Sequence, residues 1–195
     1  MPTIEVFETS RKPTAASAAN PIALYARQQF EAGLQWLESR GARIERHAIS
    51  LEGPLTIDNG TVKTAIELQG EDSLPIVVLD GTIISMGGHP TRSEILVCAG
   101  YSASDDPGFT QELSTLAANM RAALAANNAT KFILHCEQGL SLGLRTEDLR
   151  SIVESAKSVS SEAIPEDTLA KVEQFLAFGP TGKPKVPRCS CSRKS

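Results

Sequence analysis

Residues 74–85 read Leu74-Pro75-Ile76-Val77-Val78-Leu79-Asp80-Gly81-Thr82-Ile83-Ile84-Ser85. The unbroken apolar run through Leu79 has the pattern of a strand buried on both faces. Asp-Gly is the dipeptide that tolerates two successive positive φ angles, as a two-residue hairpin demands. Thr82 to Ser85 is then the returning strand. Pro75 donates no backbone hydrogen bond, so it marks where pairing stops before the strand. It is also a candidate cis-proline facing the loop after the first strand. A structural turn is the preferred reading, because no cysteine faces it.

Working upstream, Thr3 to Phe7 is β-branched and apolar, a short first strand. Polar Glu8 to Asn20 follows as a loop. Asn20 is placed to cap a helix and Pro21 to begin it. Ile22, Leu24, Tyr25, Phe30, Leu34, Trp36 and Leu37 recur at near-helical spacing up to Ser39, and Gly41 stops the helix. Ala42 to Ile49 reads as a second strand. Leu51 to Asp58 is a turn region, and Asn59 to Gln69 a short helix. Downstream of the hairpin, Gly87-Gly88 break the chain and Pro90 to Cys98 closes it with a helix. The order is β-α-β-α-β-β-α. A helix joins the first two strands, which predicts a parallel pair with a right-handed crossover. This is the thioredoxin order, assigned to residues 1–100.

Residues 101–108 are small and polar, a linker. From 109 to 178 the pattern is entirely helical: Phe109 to Asn127, Ala129 to Leu142, Thr146 to Ser158, and a helix opened by Pro165 and ending at Phe178. Residues 179–195 have no periodicity and carry Lys183, Lys185, Arg188, Arg193 and Lys194, which reads as a basic, disordered tail. The expected class is therefore α/β, a thioredoxin-like domain followed by a small all-α domain.

The chain has 195 residues, 41% of them hydrophobic, and a net charge of −4. That charge excludes a globally cationic nucleic-acid binder; any DNA contact must come from a local basic patch. No apolar run approaches the roughly 18 residues of a membrane span. The first residues show no basic segment ahead of an apolar one, so a cytoplasmic location is expected. Four cysteines, Cys98, Cys136, Cys189 and Cys191, make no disulfide framework.

Several pieces, in order across residues 1–98, resemble the ArsD family of arsenical-resistance proteins. They are the early strand ending in Phe7, Gln35-Trp36-Leu37, Ile44-Glu45-Arg46, Leu74-Pro75, Leu79-Asp80-Gly81, and Gly88-His89-Pro90-Thr91-Arg92-Ser93-Glu94-Ile95. The resemblance implies a homodimeric metallochaperone that passes trivalent arsenic or antimony to the ATPase of an efflux pump. It also implies a metalloid-released repressor acting on operator DNA. The family carries a vicinal cysteine pair and a third cysteine in the loop after the first strand. This chain has Lys12 and Pro13 in place of the pair and Ala18 or Ala19 in place of the third. Trivalent arsenic is a soft centre that selects thiolates, so this loop cannot hold it in the family's way. Disulfide exchange is excluded for the same reason, and no enzymatic activity is expected.

Cys189-Ser190-Cys191 is the close thiol pair, flanked by Arg188, Arg193 and Lys194, whose charges favour thiolate. It reads either as a chelating pair for arsenite or antimonite, completed by a thiol from Cys98, Cys136 or another subunit, or as two incidental cysteines in a tail. Cys98 and Cys136 themselves read as small core residues. Residues 131–148, KFILHCEQGLSLGLRTED, resemble the carboxymuconolactone decarboxylase and AhpD-like family, with His135 at its histidine and Gly143-Leu144 at its turn. Asn128 and Lys131 stand where that family has its C-x-x-C cysteines, so its peroxidase activity is not implied. His135 is read as making a structural hydrogen bond. His47 is isolated, and His89, preceding Pro90, is given a helix-start role rather than a metal. Two functional readings result: an ArsD-like metalloid protein using Cys189 and Cys191, and a thioredoxin-fold module that binds an efflux ATPase or other partner without metal.

Overall fold

The computed structural model describes residues 1–10, 20–52, 55, 57–159 and 164–178. The described contacts separate into two compact units that divide between Ser102 and Ala103. In the first, a four-stranded sheet has the spatial order β2-β1-β3-β4, with β1 at Thr3–Thr9, β2 at Arg43–Ile49, β3 at Ile76–Leu79 and β4 at Thr82–Met86. β1 and β2 are parallel, with Thr3 opposite Arg43 and Phe7 opposite His47. β3 runs antiparallel to both β1 and β4. The thioredoxin-like order expected from the sequence is the order found.

The hairpin between β3 and β4 forms because Asp80 and Gly81 both take positive φ, 47° and 80°. Asp80 also ties the start of β1 to this turn. Its Oδ1 accepts from the Thr3 N–H at 2.8 Å, and its own N–H donates to the Thr3 carbonyl at 2.9 Å. The Leu74-Pro75 peptide is cis, the isomer that its place in the fold implies. Strand β3 starts one residue beyond Pro75, because a proline cannot enter the ladder.

Helix α1, Pro21–Ser39, is capped by Asn20, whose side chain accepts from the N–H groups of Ile22 and Ala23. It crosses one face of the sheet with α3, Arg92–Cys98. Ile4, Val6, Phe30, Leu34, Leu37, Val77, Ile84, Ile95 and Leu96 form the core of that layer. Leu24, expected on the buried face of α1, is 52% exposed, because it lies nearly two turns before the first fully buried residue, Phe30. Helix α2, Gly60–Gln69, packs on the opposite face with Phe7, Ile49, Val62, Ile66, Ile76 and Val78. Burying such aliphatic side chains is worth about 1.5–3 kcal/mol each, so each layer has its own cohesive core.

Gly33 of α1 sets the distance to α3. A Cβ built there would stand 3.2 Å from Arg92 Cγ and 3.3 Å from Ile95 Cγ2. α3 starts after Thr91, not at Pro90. The Thr91 hydroxyl accepts from the Glu94 N–H while the Glu94 carboxylate accepts from the Thr91 N–H, a reciprocal capping box.

The second unit consists of α4 (Pro107–Ala125), α5 (Ala129–Leu142), α6 (Thr146–Val159) and α7 (Glu166–Phe178). α4 begins inside the segment expected to be linker. The Asp106 side chain accepts from the N–H groups of Gly108 and Phe109, and Pro107 is the first helical residue. Phe109, Leu116, Met120, Leu124, Phe132, Leu142, Leu149 and Val172 are buried. Gly143 ends α5 in the left-handed region, φ 100°. Among the described residues no helix is long and apolar enough to cross a membrane. The disorder expected for residues 179–195 falls outside the described residues.

Candidate functional site

Two regions of the first unit carry chemistry. The first is at the carboxyl end of β1. Glu8 follows Ile4 and Val6 on the α1 face of β1, and Arg46 follows Ile44 on the same face of β2. Arg27 and Glu31 lie one turn apart on α1. Alternation on strands and i, i+4 spacing on a helix thus bring four charges together. Glu8 Oε1 is 3.5 Å from Arg27 and its Oε2 is 3.7 Å from Arg46. Arg46 also makes a two-pronged contact with Glu31.

His89 closes the cluster. Its Nε2 is 3.0 Å from Glu8 Oε1, and its ring leans on Phe30 with centroids 4.7 Å apart. Burial lowers its pKa below the ordinary value of 6.5, against the opposing pull of the hydrogen bond and charge of Glu8. Three residues on, the guanidinium of Arg92, a buried residue, donates to Gln29 at 3.1 Å. His89 therefore joins the start of α3 to the end of β1. This network was missed in the sequence, although the strand and helix periodicities that generate it were legible. The replacement residues Lys12, Pro13, Ala18 and Ala19 lie outside the described residues.

On the other face of the sheet, His47 stacks on Phe7 with centroids 4.5 Å apart. Its buried Nε2 has no hydrogen-bond partner, and the Glu5 and Glu45 carboxylates are 3.7 and 3.9 Å away. Those separations exceed hydrogen-bond length. Among the described residues no three His, Cys, Asp or Glu side chains are grouped to hold a metal ion.

The second region is the opposite end of the sheet, and it contains a cysteine. α1 and α3 run side by side: Arg92 meets Gln29, Ile95 meets Gly33, and Tyr101 meets Trp36 in an edge-on contact at 5.0 Å. Arg40 lies over the Trp36 ring, also at 5.0 Å. Cys98, the last residue of α3, is at this end. It is half-buried and packs against the sheet core, as expected of a small core residue, and it is disulfide-bonded. The neighbouring Val97 is 56% exposed, so the end of α3 faces solvent.

Cys136 is different in kind. It is free and fully buried in α5, and burial, with Glu137 adding to it, pushes its thiol up to about 12. It is a core residue, as expected. Also in α5, His135 Nδ1 is 2.8 Å from Gln138 Oε1, the structural role expected for it. Asn128 caps the helix through the Lys131 N–H at 2.9 Å, so one of the two residues that replace the AhpD-like cysteines has a purely architectural job. Cys189 and Cys191, the expected metalloid ligands, lie outside the described residues.

The model of the family described as "Arsenical resistance operon protein ArsD" matches residues 1–123, beyond the sheet domain and into α4. Two Escherichia coli proteins, each named arsenical resistance operon trans-acting repressor ArsD, are 36% and 35% identical over 66 residues. Those matches cover 34% of this chain and 55% of each relative, so the chain spans about half the length of the curated relatives it matches. A solved structure of an arsenical resistance operon trans-acting repressor from Bacteroides vulgatus is 24% identical, with a TM-score of 0.39, over 49% of this chain and 89% of that one. On the family match, which spans well over half its length, the chain belongs to the ArsD family of arsenical-resistance operon proteins.

Proposed function

We propose that this protein is a metalloid-responsive repressor of an arsenical-resistance operon, binding trivalent arsenic or antimony through Cys189 and Cys191. The observation that carries this reading is a combination. The family match runs from residue 1 to 123, yet the first cysteine in the chain is Cys98. A scaffold of this family without thiols in its first loop must take a soft ion elsewhere or not at all. The Cys189-Ser190-Cys191 pair, beside Arg188, Arg193 and Lys194, is the thiolate-favouring sequence available. The repressor half of the reading rests on the names of the two E. coli relatives. The protein works as a cytoplasmic homodimer, and as a chaperone it passes metalloid to a pump ATPase.

With a net charge of −4, operator binding depends on local cations, and the basic residues from Lys183 onward supply them. A mobility-shift titration on DNA upstream of the operon tests this. The parent protein binds and arsenite releases it, whereas Cys189→Ser/Cys191→Ser binds equally well and no longer responds. Affinity falls steeply with salt, as for any contact made mainly to phosphate. Absence of binding at low salt, or arsenite release that survives the double substitution, overturns the reading.

One observation favours a second reading. Where the family's thiol loop begins, this structure has the Glu8–Arg27–Arg46–His89 network, a charged surface suited to protein contact. A thioredoxin-fold module docking on an efflux ATPase needs no metalloid. Pull-down of the ATPase with equal yield in the presence and absence of arsenite supports that alternative.

A further inference from the structure

We infer that the outer edge of β2 is the surface through which two copies of this chain pair, strand to strand and antiparallel, about a two-fold axis at Arg46. The inference rests on the homodimer of the preceding reading and names its contact surface. It starts from the backbone. The Arg43 N–H donates to the Pro2 carbonyl at 3.0 Å, and the Ile49 carbonyl accepts from the Ser10 N–H at 2.8 Å. Both odd-numbered ends of β2 thus turn their polar groups toward β1. Alternation along the strand turns those of Ile44, Arg46 and Ala48 the other way. Among the described residues β2 has β1 as its one neighbour in the sheet. An open row of donors and acceptors is a template for another strand, and Arg46 and Ala48 are exposed along it.

Charges on an edge normally keep other chains away. Those of β2 instead fit one partner in one register. With Arg46 opposite its own copy, Ile44 faces Ala48, and the outward residues of the two strands form about six backbone hydrogen bonds. In the closer pairs between them, Glu45 of each copy stands opposite His47 of the other, so the contact occurs twice by symmetry. Glu45 Oε1 holds Arg43 at 2.8 Å, while its Oε2 stays 3.9 Å from its own His47, longer than a hydrogen bond. That second oxygen is the acceptor offered to the other copy. The like charges that meet at the axis are already neutralised. Each Arg46 makes its two-pronged contact with Glu31 of its own α1, and Glu8 Oε2 is 3.7 Å away.

The next registers on either side lose this match. One sets Glu45 against Glu45, which is destabilising, and the other sets Glu45 against Ile49. The remaining edge of the sheet, β4, is built differently. Val77 lies opposite Ser85 but Val78 opposite Ile83, which leaves Ile84 as an extra residue. A bulge of this kind twists an edge away from further pairing. Self-complementarity of β2 therefore selects a second copy as its occupant.

Sedimentation velocity on the full chain tests this, with a thiol reductant present so that no disulfide links two copies. The parent is expected to sediment as a dimer. Ala48→Pro removes an outward N–H and spares the bonds to β1, the position at which an edge strand tolerates proline. It should be a monomer with the circular dichroism of the parent. Glu45→Lys should weaken the dimer Kd about tenfold, because the altered pair occurs twice. Glu45→His/His47→Glu exchanges the two partners and should recover most of that loss, which residues serving only their own chain would not do. Amide exchange at Ile44, Arg46 and Ala48 should slow as the parent's concentration rises through Kd. A dimeric Ala48→Pro protein, or exchange at those amides that ignores concentration, overturns the inference and leaves a homodimer joined elsewhere. Unchanged Kd in Glu45→Lys overturns it as well, and decides alone should Ala48→Pro fail to fold. A monomeric parent overturns the homodimer reading itself.

Discussion

His89 shows how much one side chain can carry. It stands between Phe30 and Glu8, with a pKa below the ordinary value because burial disfavours its charged form. In the unfolded chain the imidazole takes up a proton near pH 6.5; in the fold it does so only at lower pH. Above pH 6.5 the ring is neutral in both states and costs nothing. As pH falls through 6.5 the unfolded state binds more proton, and stability drops until the folded-state pKa is passed. His89→Gln, which keeps a polar partner for Glu8, should therefore lose less stability between pH 7 and 5.5 than the parent does, as read from urea midpoints. Equal losses would show that the histidine is not the titrating group. In sequence His89 was placed only at a helix start, because its partner is 81 residues away and belongs to a strand end that read as loop.

At the scale of elements, the glycines inside helices are the informative residues. Gly33 lets α1 and α3 approach until Arg92 and Ile95 touch the α1 backbone. In the second unit Gly139 does the same for α5, with Leu144 at 3.0 Å, Met120 at 3.3 Å and Leu149 at 3.4 Å from where a Cβ would be. Gly33→Leu should destabilise the protein by about 1–3 kcal/mol, the usual cost of overpacking, measured by chemical denaturation. A smaller effect would mean that the two helices separate easily. The hairpin, the strand order and the Asn20 cap were legible in sequence because Asp-Gly, alternation and Asn-Pro each have few structural meanings. The starts of α3 and α4 were not. Thr91 and Asp106 are polar residues beside prolines, and that pattern serves equally as loop and as cap. Only the tertiary position of the following turn decides between them. Cys98 was legible in part: a cysteine after Ile95, Leu96 and Val97 reads as core, and it does pack against the sheet core, half-buried.

Among the described residues, the buried side chains fall into the two units, each with its own core residues. Phe132 is fully buried in the helical unit. Phe132→Ala should cost that unit about 3–5 kcal/mol. Hydrogen exchange should accelerate in α4 to α7 while β1 and β3 keep their protection, since each core holds its own elements. Uniform acceleration would mean that the units unfold as one. The candidate site follows the same division: everything described of it lies before Ser102, and the thiol of the second unit is sealed inside its own core. The clamp of Asp80 on Thr3 has a practical corollary for the bench. Strand β1 is anchored at its first residue, and Met1 is 97% exposed beside it, at the Trp36 and Cys98 end of the sheet. A purification handle fused there would hang over that end, and a thiol-bearing one would compete for a soft ion. Handles should be cleaved before any titration.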